Sequence, residues 1–73
     1  MEKYPMTNFK QEFIRAQTDL YESKIKWHIM NVNNLLENAS AVAEHPDHMS
    51  TIEGELGVIA EYEDKLEVLR KYF

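Results

Sequence analysis

The chain contains no cysteine, and only two glycines and two prolines occur among its 73 residues. Without cysteine, a disulfide framework and any metal site built on thiolates are excluded. No apolar run approaches the ~18 residues that suggest a membrane span, and the N-terminal sequence lacks the apolar centre of a secretion signal. These absences predict a cytoplasmic protein with no membrane partner.

The residues that are present have a globular composition, with 44% hydrophobic and 29% charged. The length predicts a single domain over residues 1–73. A domain this small buries only about 60% of the surface of its unfolded chain. Because no disulfide is available, we expect oligomerisation to supply the missing stability.

The spacing of proline and glycine predicts two helices. Residues 8–44 contain neither, and Asn8 with Gln11 forms a capping-box pattern at the start of this stretch. Pro46 disfavours helical geometry at the residue before it. The first helix is therefore expected over about 8–44, followed by a turn over 45–49.

The second helix is expected over about 50–72, since Ser50 and Glu53 form another capping box, with Asp47 as the alternative N-cap. Two glycines near its start, Gly54 and Gly57, lower helix propensity by roughly 1 kcal/mol each. They lie three residues apart on one face. Either they only weaken the helix or they let another backbone approach closely, and the sequence leaves both alternatives open.

Apolar residues recur at helical spacing in both segments. The second helix carries an apolar seam, with Glu55 as its one polar position: Ile52, Ile59, Tyr62, Leu66, Leu69 and Phe73. The first helix carries two apolar stripes, one of which contains Phe13, Leu20 and Trp27 at seven-residue steps. This apolar arc is too wide for one partner helix, so the fold class expected is an all-α antiparallel hairpin that needs a further partner.

A fold about Pro46 would pair residue i with about residue 93 minus i, which places Phe73 opposite Leu20. Residues 8–19 would then have no partner in the chain, and soluble monomers rarely expose such an apolar patch. We therefore expect a homodimeric four-helix bundle or a higher oligomer. Its core and interface are predicted at Phe9, Phe13, Ile14, Ala16, Leu20, Trp27, Ile59, Leu66 and Phe73.

Histidine and carboxylate side chains crowd the predicted turn. His45 and His48 offer a His-x-x-His spacing that suits zinc, copper or nickel. The interpretation we favour is that Asp47 caps the second helix and that the imidazoles lie in solvent or at a helix end. His28, in the middle of the first helix, is expected to be either a polar residue at the flank of the helix or a hydrogen-bonded member of an interhelical core. No cofactor is expected.

No catalytic constellation is recognisable. The sequence contains no Glu-x-x-His of the type found in di-iron bundles, and no nucleophile is matched with a base. A thin hairpin also offers no deep cleft. The protein is therefore expected not to be an enzyme.

The charge is unevenly distributed along the chain. The net charge is −5, but residues 37–67 hold nine acids and one base. This balance disfavours duplex nucleic acid as a partner and suggests that the acidic half binds a basic surface on another protein. In the predicted register Lys24 and Lys26 approach Arg70 and Lys71, a possible site for a nucleotide or another anion. The alternative is that these cations form ion pairs with Asp19, Glu22 and Glu67.

The block that follows Asn34 resembles small proteins of T4-like phages of marine bacteria. The likeness is carried by the Glu-His-Pro-Asp turn at 44–47 and the Glu-Tyr-Glu-Asp-Lys-Leu run at 61–66. It implies a viral accessory protein in the host cytoplasm that binds host or phage components, with no active-site residues to carry over.

The function expected is that of a non-enzymatic protein-interaction module, an adaptor or inhibitor that binds itself and another protein. The alternative is an oligomeric protein that sequesters a nucleotide or other anion at Lys24, Lys26, Arg70 and Lys71.

Overall fold

The computed structural model describes residues 8–38 and 46–73, and two antiparallel helices account for nearly all of them. Helix α1 spans Phe9–Glu37 and helix α2 spans Pro46–Tyr72. The two helices pack against each other, and no strand occurs in the described ranges. The predicted all-α hairpin is therefore confirmed.

Helix α1 begins where its sequence predicts and ends earlier. The side chain of Asn8 accepts a hydrogen bond from the backbone N–H of Gln11 at 3.1 Å, which caps the first turn. At the other end the N–H of Asn38 bonds the carbonyl of Leu35, and its side-chain amide donates to the carbonyl of Asn34 at 2.8 Å. Asparagine competes in this way for backbone groups. Helix α1 therefore ends at Glu37 instead of near residue 44; residues 39–45 lie outside the described ranges.

Helix α2 begins four residues before the predicted Ser50. Pro46 occupies its first helical position, where the missing N–H costs nothing and the fixed φ suits a helix. Asp47 lies in the first turn, where a carboxylate interacts favourably with the helix dipole. Thr51 then donates its hydroxyl to the carbonyl of Asp47 at 2.9 Å. The predicted turn over 45–49 is therefore wrong at residues 46–49, which are helical; His45 lies outside the described ranges.

The helices meet along one line of side chains, which we call the seam. Helix α2 contributes its predicted heptad positions, and these include the two buried residues Leu66 and Leu69, 8% and 7% exposed. Helix α1 contributes residues that are half-buried: Ile14, Tyr21, Ile25, His28 and Val32. The seam is thus narrow and leaves most of each helix exposed.

The register of the hairpin differs from the prediction. The rings of Tyr21 and Tyr62 lie 5.9 Å apart, and His28 contacts Glu55. Residue i therefore pairs with about residue 83 minus i, so Phe73 lies across from Lys10 instead of Leu20. The prediction that residues 8–19 overhang their partner is wrong. The error follows from placing the turn at Pro46, which is in fact the first residue of α2.

Candidate interaction surfaces

One flank of α1 exposes large apolar side chains beside the seam. We call it the aromatic flank, and it consists of Phe9, Phe13, Ala16, Leu20 and Trp27. Phe13, Leu20 and Trp27 are 46%, 44% and 55% exposed, and they follow one another at seven-residue steps. Phe9 stacks on Phe13, with ring centroids 6.1 Å apart. Except for Phe9, which lies beyond the level of Phe73, these residues are outside the seam because they project sideways and not because they overhang α2.

The other predicted core residues divide between the seam and the open end of the hairpin, where α1 begins and α2 ends. Ile14 and Ile59 are half-buried in the seam, and Leu66 is buried there. Phe73 is 66% exposed at the open end. Three of the nine predicted core residues therefore lie in the seam of the hairpin, and the other six are exposed.

A groove of about 660 Å³ crosses the seam at the open end, on the same face as the aromatic flank. Phe13 and Tyr21 form one wall, and Val68 and Phe73 form the other. Lys10 and Lys65 lie at its rim. Glu61 forms an ion pair with Lys65 at 3.0 Å, and this hydrogen bond raises the pKa of Lys65.

The α2 side of this face carries two glycines near the turn. Gly54, Glu61 and Val68 follow at seven-residue steps, so Gly54 shares the face of Val68, and Gly57 lies one turn from Gly54. Both glycines are exposed, and a Cβ atom added to either would meet no atom within 4 Å. No contact within the described hairpin therefore requires glycine at these two positions.

A second apolar patch lies on the opposite flank, in the half of the hairpin nearer the turn. Helical spacing places Ile29 and Leu36 of α1 with Met49 and Leu56 of α2, and these side chains are 42–60% exposed. The exposed carboxylates of Glu53, Glu63 and Glu67 project from the same side of α2. We call this surface the acidic flank. It differs from the aromatic flank in chemistry and in position along the rod.

A polar cluster interrupts the seam where the heptad pattern places Glu55. The carboxylate oxygen Oε1 of Glu55 lies 2.6 Å from Nδ1 of His28 and accepts a hydrogen bond from Asn31 Nδ2 at 3.3 Å. The side chains of His28 and Glu55 are only 18% and 20% exposed. The contact with His28 lowers the pKa of Glu55, against a smaller opposing effect of burial. The sequence predicted Glu55 as a polar position of the seam and left two alternatives open for His28. It did not predict their pairing, because the predicted register was wrong.

The four predicted anion-binding cations do not share one surface. Arg70 donates to Glu22 at 3.0 Å, which is one of the predicted alternatives. Lys24 lies 4.7 Å from the centre of the Trp27 ring, and Lys71 lies over Tyr72. Lys26, two positions after Lys24, projects from another side of α1 beside Asp19 and Glu22. The corrected register, which separates these residues along the rod, explains the difference.

The alternative metal ligands are only partly within the described structure. His48 lies half-buried in the first turns of α2, and His45 lies outside the described ranges. Among the residues that the structure describes, no three histidine, aspartate or glutamate side chains are grouped as metal ligands. Neither described helix is both long enough and apolar enough to cross a membrane.

Comparison of the chain with protein-family models, with curated proteins and with solved structures finds no match.

Proposed function

We propose that the protein is a non-enzymatic helical interaction module that associates with itself and binds a second protein. The observation that carries this proposal is the imbalance between a seam with only two buried residues, in the part of the chain described, and two separate exposed apolar flanks. Contiguous exposed apolar surface is typical of protein–protein contacts. In keeping with the likeness at 44–47 and 61–66, its role is that of a phage accessory protein, an adaptor or inhibitor in the host cytoplasm.

Self-association is assigned to the aromatic flank. This flank lines most of the length of α1, and two hairpins packed face to face through it form a four-helix bundle. The contact removes Phe13, Leu20 and Trp27 from water, which contributes roughly 25 cal/mol for each Å² buried. The groove at the open end belongs to the same face and is covered in the bundle.

The second protein is assigned to the acidic flank. Leu56 and the carboxylates that continue along the same side of α2, Glu63 and Glu67, suit a partner that offers an apolar patch next to lysine or arginine. The charge supports this choice, because α2 carries seven acids and three bases while α1 carries four of each. No anion site is proposed at Lys24, Lys26, Arg70 and Lys71, since these cations do not converge.

The test is a binding experiment with immobilised protein and a lysate of the cell in which it functions. The wild type is expected to retain one protein with a basic surface, and E63K/E67K is expected to lose it. E12K/D19K is the matched control, since it makes the same charge change on exposed residues of α1. Equal retention by all three would contradict the assignment of the acidic flank, and no retained protein would contradict the proposed function.

A further inference from the structure

The two helices contribute unequally to the face that contains the aromatic flank. Helix α1 presents large side chains, and helix α2 presents Gly54 and Gly57 near the turn and Val68 and Tyr72 near the open end. The register places Trp27 level with residue 56, between the two glycines on the neighbouring helix. The largest side chain of the aromatic flank, Trp27, therefore lies level with the two glycines of the neighbouring helix.

We propose that the occupant of this face is a second copy of the chain, with α1 of each copy docked on α2 of the other, and with Trp27 seated over Gly54 and Gly57 of the second copy. This inference rests on the proposed self-association and specifies its geometry. A two-fold axis parallel to the helices generates the arrangement. Rotation about this axis does not change the position of a residue along the helices. Residues that lie level with each other within one hairpin therefore also lie level between the two copies.

The charges of the two helices favour this arrangement over one in which like helices stack. Helix α1 has no net charge, whereas helix α2 has a net charge of −4 from seven acids and three bases. Stacking α2 on α2 would bring two acidic helices together, which is repulsive. Docking α1 on α2 places the acidic helices diagonally, and each acidic α2 then packs against an α1 that carries no net charge.

The area of the face suits a stable dimer. Helices of 29 and 27 residues are about 40 Å long and each about 10 Å wide, so one face of the hairpin offers roughly 800 Å². Specific interfaces bury about 800 Å² per partner. The whole face is needed to reach this value, which is consistent with a contact that includes both helices.

Close packing also explains the two glycines. Each lowers the helix propensity of α2, and a Cβ at either position would meet no atom of its own hairpin within 4 Å. In the proposed dimer, that space is filled by the indole of Trp27 from the second copy. Replacing the glycines by alanine therefore has opposite effects in the two arrangements. It stabilises α2 if the glycines face water, and it weakens the dimer if Trp27 of the second copy packs on them.

The first experiment measures the dimer dissociation constant of G54A/G57A by sedimentation equilibrium. We expect it to rise at least about tenfold, which corresponds to about 1.4 kcal/mol. N33A is the control, because it also improves helix propensity but at an exposed position of α1 away from the face. An unchanged or tighter dimer in G54A/G57A would overturn the seating of Trp27.

The second experiment uses disulfide cross-linking. Since the natural chain has no cysteine, only the introduced cysteines can form a disulfide. In the proposed dimer Ser23 lies level with Glu61 of the second copy, so mixed S23C and E61C are expected to form a disulfide between copies. A16C alone is expected to form none, because the two α1 helices are diagonal and a disulfide needs Cα atoms within about 7 Å. A cross-linked A16C dimer would overturn the arrangement but leave self-association standing, whereas a wild type with the mass of one chain would overturn both.

Discussion

The two halves of the seam hold the hairpin together in different ways. Near the open end, Leu66 and Leu69 are buried and the rings of Tyr21 and Tyr62 are in contact. Nearer the turn, the same heptad positions are occupied by the hydrogen-bonded side chains of His28 and Glu55. Apolar burial is non-directional, whereas a hydrogen bond is made only when its two groups are aligned. The comparison indicates that the open-end half supplies most of the stability and that the polar half fixes the register.

The largest expected effect is that of L66A, which removes a buried side chain from the open-end half. The free energy of unfolding is expected to fall by about 3 kcal/mol, because both transfer free energy and packing are lost. I52A, at a half-buried seam position nearer the turn, is expected to cost about 1 kcal/mol. Urea unfolding followed by circular dichroism measures both. Equal losses would break the distinction between the two halves.

A smaller effect is expected for E55A, which leaves His28 and Asn31 without their shared acceptor. The urea midpoint is expected to fall by less than in L66A, and double electron–electron resonance between labels on the two helices is expected to show a broader distance distribution. E53A, at an exposed position of the same helix, is the control. A narrow, unchanged distribution in E55A would show that the polar cluster does not fix the register.

The polar half is also expected to respond to acid. Since the contact with His28 lowers the pKa of Glu55 in the folded chain, its stabilising effect is fully present above the ordinary pKa of a glutamate and is lost as the pH falls through the lowered value. The stability difference between the wild type and E55Q should therefore shrink on acidification from about pH 6 to pH 3. A difference that stays constant over this range would contradict the ionic character of the contact.

The smallest effect is expected for R70A. Arg70 and Glu22 form their ion pair at the surface, with side chains 59% and 54% exposed, so solvent screens most of the attraction. The expected loss is about 0.5 kcal/mol or less, and it should vanish at high salt. Thermal unfolding at two salt concentrations measures it. A loss comparable to that of L66A would show that charge, not burial, holds the open end.

Much of the fold could be predicted from local sequence chemistry. Asn8 begins α1 as its capping pattern indicates, and the heptad positions of α2 that were assigned to the seam include both of the buried residues. These features depend on residues within one or two turns of each other. Heptad spacing and helix caps are governed by such short-range rules, which a sequence displays directly.

The register could not be predicted, because it depends on where the chain reverses. Proline is compatible both with the end of one helix and with the first position of the next, and Pro46 adopts the second role. That single difference shifted every pair across the seam by ten residue numbers. In the observed register the cations Lys24 and Arg70 lie apart along the helices, whereas the register predicted from the sequence places them side by side.

The central claim is that one hairpin cannot cover its own apolar surface, so that the aromatic flank is completed by a second copy. Light scattering at micromolar concentration tests this claim most directly. The account predicts at least twice the 8.6 kDa mass of the chain, with a shift toward the single-chain mass in a variant that carries both L20E and W27E. A wild type that is uniformly 8.6 kDa at this concentration would contradict it.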